Sequence, residues 1–199
     1  DKPCGGAIST QFASYLKNHV GIRLNAASHP ARPVRCGFQS TTSVLMPGLF
    51  VITSRYHLQK DLIARLRMHP NVDIVFREVS AADRDLFTPQ TVLATGYSAL
   101  TRKILQSQWH KREYALICKG RGTIEARLAP KSHLMIFNTA IRGYGWIFVQ
   151  DDGRFNLGTG GLIDKTRLFN EFERFRRQSV ERFHYPELPL EGPASLWKV

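Results

Sequence analysis

Tyr144-Gly145-Trp146-Ile147-Phe148, then Asp151-Asp152-Gly153-Arg154, then Phe155-Asn156-Leu157-Gly158-Thr159-Gly160-Gly161 form the stretch that decides the fold. Aromatic residues on alternate positions of an apolar run share one face of an extended strand. The glycine-containing tetrapeptide is a hairpin turn signal, and the residues after it run back as a second strand ending in glycines. The stretch therefore predicts a β-hairpin carrying an aromatic shelf. Tyr144, Trp146 and Phe148 admit two readings: core residues of an antiparallel sheet, since aromatics favour strands, or a binding wall. Gly143 and Gly145 leave room beside the rings for a ligand to approach the backbone.

Downstream of the hairpin the apolar period changes from two to 3.6. Beyond Asp164, residues Leu168, Phe172, Phe175, Val180 and Phe183 fall along one stripe with Arg174, Arg176, Arg177 and Arg182 outside it, which predicts an amphipathic helix. Such a helix either packs on its own sheet with a solvated charged face or lies on a membrane surface. Upstream, residues 132–137 read as a strand leading into the hairpin. Residues 114–119 and 123–128 read as two more strands, with Lys119-Gly120-Arg121-Gly122 as their link.

The first third of the chain is more broken. Ile8, Phe12, Tyr15 and Leu16 recur at helical spacing behind Ser9 as a cap, giving a short helix that fades at Gly21. Short strands are expected at 34–38, 43–46 and 49–53, separated by Pro30, Pro33 and Pro47. An amphipathic helix over 54–66 follows, with Leu58, Leu62 and Leu66 on one face. Residues 72–76 (Val-Asp-Ile-Val-Phe) read as another strand, and 90–102 as strand, glycine turn and helix.

The 199 residues carry 28 Lys plus Arg against 16 Asp plus Glu, a formal net charge of +12, which favours anionic partners: a phosphorylated cofactor or substrate, an acidic membrane surface or nucleic acid. Hydrophobic residues at 43% mark a globular chain rather than a disordered one. Cys4, Cys36 and Cys118 are odd in number and scattered, so neither a disulfide framework nor a CxxC metal site is expected. With no apolar run of ~18 residues and no signal-peptide pattern, the expected compartment is the cytoplasm. The chain opens on Asp1, inside a motif, and is expected to be part of a longer polypeptide.

Several of these segments carry a family resemblance. The hairpin Gly143-Tyr144-Gly145-Trp146-Ile147-Phe148 with its Asn156-Leu157-Gly158 return strand resembles the Tyr-x-Trp-x-Phe-Pro hairpin of the geranylgeranyl reductase family of FAD-dependent oxidoreductases. About 140 residues earlier, Lys2-Pro3-Cys4-Gly5-Gly6 is similar to that family's Lys-Pro-Cys-Gly-Gly segment, which passes close to the flavin ring. Arg55 with Leu58 and Leu62 resembles a segment whose arginine contacts the FAD. Residues 90–102 resemble the second cofactor motif around Gly96, although Thr95 stands where that motif has aspartate. Ile141 and Val149 likewise replace the prolines that flank the family hairpin. Neither the Gly-x-Gly-x-x-Gly pyrophosphate turn nor the later Gly-Asp-Ala motif is found in the sequence.

The resemblance implies an α+β fold: an α/β flavoprotein fragment with a mixed sheet, an antiparallel substrate-domain sheet and flanking helices. It implies that residues 1–102 belong to the FAD-binding region and 103–199 to the substrate side. It further implies FAD as cofactor, contacted by Cys4, Gly5, Gly6, Arg55 and Gly96, and an isoprenoid or prenyl-lipid substrate against Tyr144, Trp146 and Phe148. The expected chemistry is reduction of carbon–carbon double bonds in a dry apolar tunnel, with peripheral membrane contact as an accompanying expectation; no catalytic residue, electron donor or metal site is assigned. A flavin-dependent hydroxylase or halogenase of the same fold stays open as an alternative. So does a non-catalytic basic binding module, although no nucleic-acid-binding motif accompanies the charge.

Overall fold

The computed structural model describes residues 6–23, 32–38, 42–48, 50–53, 55–80, 82–92, 94, 100, 103, 116–150 and 152–198. In chain order its strands are β1 (Ala7–Ser9), β2 (Val34–Phe38), β3 (Thr42–Met46), β4 (Phe50–Ile52), β5 (Leu116–Thr123), β6 (His133–Asn138), β7 (Gly143–Val149), β8 (Arg154–Gly161) and β9 (Ser195–Lys198). The helices described over their length are α1 (Thr10–Tyr15), α2 (Arg55–Arg67) and α3 (Lys165–Glu181). Seven strands form one sheet in the order β3-β2-β6-β7-β8-β5-β9, and β1 pairs with β4 in a small antiparallel sheet. Every pairing in the large sheet is antiparallel except β2 with β6, so the sheet is mixed and the fold is α+β. Strands from both sides of residue 102 share this sheet.

The alternation that predicted the hairpin separates two faces. Gly145, Ile147 and Val149 of β7 point to one face, with Leu134 and Ile136 of β6, Phe155 and Leu157 of β8 and Cys118 of β5. Helix α3 covers that face with Leu168, Phe172 and Phe175, and the tail adds Tyr185 and Leu188. The apolar stripe of α3 is thus buried on its own sheet, at roughly 1.5–3 kcal/mol for each fully buried large side chain. Asp164 caps the helix, its Oδ1 accepting from the Arg167 N–H at 2.9 Å. Tyr185 closes the other end: its N–H reaches the Ser179 carbonyl at 3.0 Å, after the chain turns left-handed at His184.

Helix α1 begins where expected, with the Ser9 hydroxyl accepting from the Phe12 N–H at 3.1 Å; a π-helical turn (Leu16–Val20) extends it to the left-handed Gly21. Its expected apolar face is only partly used, since Leu16 is buried whereas Phe12 and Tyr15 are exposed.

Among the described residues several expected elements differ. Lys119-Gly120-Arg121-Gly122 does not link two strands: it lies inside the single strand β5, and the following residues form a 3-10 turn (Ala126–Leu128). The glycines are explained by close approach rather than by a turn. A Cβ on Gly120 would meet Leu190 Cδ2 at 2.7 Å, and one on Gly122 would meet the Pro189 carbonyl oxygen at 2.0 Å. Residues 72–76 pair with no described strand, and Val75 and Phe76 stay exposed. Apolar alternation makes a strand only where a neighbouring edge exists; here the Arg67 guanidinium sits over the Phe76 ring, 6.0 Å from its centroid.

Candidate functional site

The second face of the large sheet holds the aromatic shelf, arranged in rows across the strands. Strand register places Phe38, Phe137, Tyr144, Gly160 and Ile117 in one row. Cys36, Met135, Trp146, Gly158 and Lys119 make the next. Phe148, Asn156 and Arg121 continue the face beyond it. Neighbouring rings touch all along this surface: Phe38–Phe137 at 5.4 Å between centroids, Phe137–Tyr144 at 6.0 Å, Tyr144–Trp146 at 5.7 Å and Trp146–Phe148 at 6.4 Å. These separations fall in the range of favourable offset and edge contacts.

Trp146 is fixed more firmly than its neighbours. Its Nε1–H donates to Asn156 Oδ1 at 2.8 Å, and its ring lies across Gly158, where a Cβ would come within 2.3 Å of Cζ2. Phe148 meets the edge of His133 at 5.7 Å, and His133 Nδ1 accepts from the Val149 N–H at 3.2 Å. The small β1–β4 sheet roofs this end through Ala7, Phe50 and Ile52. As a result Trp146 and Phe148 are 4% and 3% exposed, whereas Tyr144 is 41%, Phe137 37% and Phe38 66% exposed. The three ring positions expected from the sequence are brought together, but only Tyr144 is open to a ligand. Phe38 and Phe137 continue the open part. The sequence carried a signal for them, alternate aromatic and apolar positions in 34–38 and 133–137, but not the register that aligns them with Tyr144.

The expected cofactor contacts divide. Cys4, Gly5, Thr95 and Gly96 lie outside the described residues. Gly6 is buried with φ +75, its carbonyl accepts from the Thr53 N–H at 2.8 Å, and a Cβ there would meet the Thr53 carbonyl oxygen at 2.5 Å. A glycine is thus required by contact between segments of this chain. Arg55 opens α2 and is exposed. Gly6 and Arg55 are thus the expected cofactor contacts that fall among the described residues. Among the described residues no group of three His, Cys, Asp or Glu side chains is placed to hold a metal ion. No described helix is long and apolar enough to cross a membrane.

Comparison with solved structures finds similar folds at low sequence identity. The chain superposes on a geranylgeranyl bacteriochlorophyll reductase-like protein from Thermoplasma acidophilum with a TM-score of 0.55 at 13% identity, covering 99% of this chain and 56% of that one. A flavin-dependent brominase gives 0.58 at 12% identity, with coverages of 98% and 57%. A peptidyl tryptophan dihydroxylase essential for tryptophylquinone cofactor biogenesis gives 0.53 at 15%, with coverages of 100% and 48%. At these identities the likeness is one of fold. The chain spans about half the length of these proteins. No family model and no curated protein matches the sequence.

Proposed function

We propose that this chain is the substrate-binding part of a flavin-dependent oxidoreductase that reduces double bonds of an isoprenoid chain. The observation that carries the reading is the ladder of touching rings, roofed at Trp146 and Phe148 and open at Tyr144, Phe137 and Phe38. An unactivated alkene offers no carbonyl to polarise. The surface beside it must therefore be apolar, exclude water and tolerate positive charge developing on carbon, which aromatic ring faces do. Tyr144, Phe137 and Phe38 bind and orient the chain in this reading, while Trp146 and Phe148 hold the floor rigid. Lys119 and Arg121 share the ladder's face and suit an anionic headgroup at one end of such a substrate. The fold likeness to a reductase-like protein and to a flavin-dependent brominase supports the class.

The test is intrinsic fluorescence titration with geranylgeraniol and geranylgeranyl diphosphate, on the wild type and on F137A and Y144A. Saturable binding that weakens about tenfold or more in each variant is expected, since an aromatic contact of this kind contributes roughly 1.5–3 kcal/mol. No binding, or equal affinity in all three proteins, would overturn the substrate assignment. Flavin dependence is read separately, from flavin absorbance retained on the native-length protein after adding FAD and desalting. Loss of all flavin would overturn the oxidoreductase class. Halogenation or hydroxylation is the second reading, favoured by the brominase and dihydroxylase likenesses. Halide- or oxygen-dependent product without alkene reduction would select it.

A further inference from the structure

The face of the sheet opposite the aromatic ladder contains a feature unrelated to the proposed substrate. Thr159 on β8 is 2% exposed, and its Oγ1 is the buried side-chain polar atom left without a hydrogen-bond partner among the described residues. It faces a cleft between the sheet and α3 lined also by Asn138, Glu171, Arg174, Phe175 and Gln178. The cleft exists because Phe175 is drawn onto Gly145, whose Cβ position it occupies to within 2.7 Å, while the short Thr159 side chain leaves space beside it.

A buried hydroxyl without a partner is destabilising, and native proteins rarely leave one so. The cleft holds about 20 Å³, room for one water, which needs roughly 10–15 Å³ by the same measure. Its chemistry selects a neutral occupant. Asn138 Nδ2 donates to Glu171 Oε2 at 3.1 Å, and Arg174 pairs with the same oxygen. The acid and the base thus offset one another, so neither an anion nor a cation is favoured. With both donors on Oε2, Glu171 Oε1 and the Gln178 side-chain amide remain as polar groups on α3 for a further partner.

We propose that this cleft binds a single water molecule that joins the Thr159 hydroxyl to polar groups of α3, forming a hydrated joint between the helix and the sheet. The water gives the hydroxyl its partner and ties α3 to the strand that supports the Trp146 ring.

Thr159→Val tests this directly, because valine keeps the shape and suits a strand, so the variant folds, while the hydroxyl is lost. If water occupies the cleft, removing one of its partners lowers Tm by about 3 °C. A dry cleft predicts the opposite sign, since a methyl replaces an unpaired polar group, and an unchanged or higher Tm would overturn the proposal. Thr159→Ser, which keeps the hydroxyl, is the control for packing: its relaxation signal should match the wild type. Magnetic relaxation dispersion of water provides the second readout. A long-lived internal water present in the wild type and lost in T159V is expected; identical dispersion profiles would overturn the assignment.

Discussion

Replacing Gly158 with alanine adds one methyl group under the Trp146 indole. The new Cβ would lie 2.3 Å from Cζ2, 2.5 Å from Cη2 and 2.8 Å from Cε2, all inside ordinary contact, which begins at 3.4 Å. A flexible side chain could swing away, but this ring cannot do so freely. Its Nε1–H is bonded to Asn156 at 2.8 Å, and Tyr144 and Phe148 flank it at 5.7 and 6.4 Å. Overpacking costs about 1–3 kcal/mol, and displacing the indole also forfeits a hydrogen bond of about 0.5–1.5 kcal/mol. We expect a loss of roughly 2–4 kcal/mol in denaturant unfolding, with Tm lower by about 5–15 °C. The cause can be isolated by a cycle with Trp146→Phe, which removes the part of the ring that clashes, so that Gly158→Ala should cost much less in that background. A Gly158→Ala loss below about 0.5 kcal/mol, or one equally large in the Trp146→Phe protein, would refute the account of why this strand carries glycine.

Three further outcomes follow from the same structure. Asp164→Ala removes the cap of α3 and should lower stability by about 1 kcal/mol, with Asp164→Asn recovering most of it; chemical denaturation of the three proteins measures this. Burial, with a smaller contribution from the negative charge of Glu173, pushes the Cys118 thiol from its ordinary 9.0 up to about 12. Because the folded value is the higher one, the contribution is fully present below pH 9. It is lost between pH 9 and 12, where the unfolded chain releases the proton first. Unfolding curves across that range should show a falling stability that Cys118→Ala flattens. In a Cys4→Ser, Cys36→Ser background, Cys118 should react with a thiol reagent only on unfolding.

Much of the architecture was legible from local pattern, because the relevant physics is local. Alternate Tyr144, Trp146 and Phe148 before a glycine turn could form one face of a hairpin strand, and 3.6-residue spacing after the Asp164 cap could form a helix with a buried stripe. The same logic misread residues 72–76, since apolar alternation there matched a strand without specifying an edge to pair with. It misread Lys119-Gly120-Arg121-Gly122 as a link between two strands, because the residues that crowd the glycines, Leu190, Phe172 and Pro189, are distant in sequence.

The sequence by itself determined that rings line one face of a sheet and that the opposite face is apolar enough to hold a helix. Tertiary structure decided which rings a ligand can reach. The parallel pairing of β2 with β6 aligns Phe38 with Phe137 and so with Tyr144, while the β1–β4 sheet closes over Trp146 and Phe148. Side-chain period is a property of a single strand, whereas exposure depends on what chain-distant segments lie above it, and that is set only when the whole fold closes.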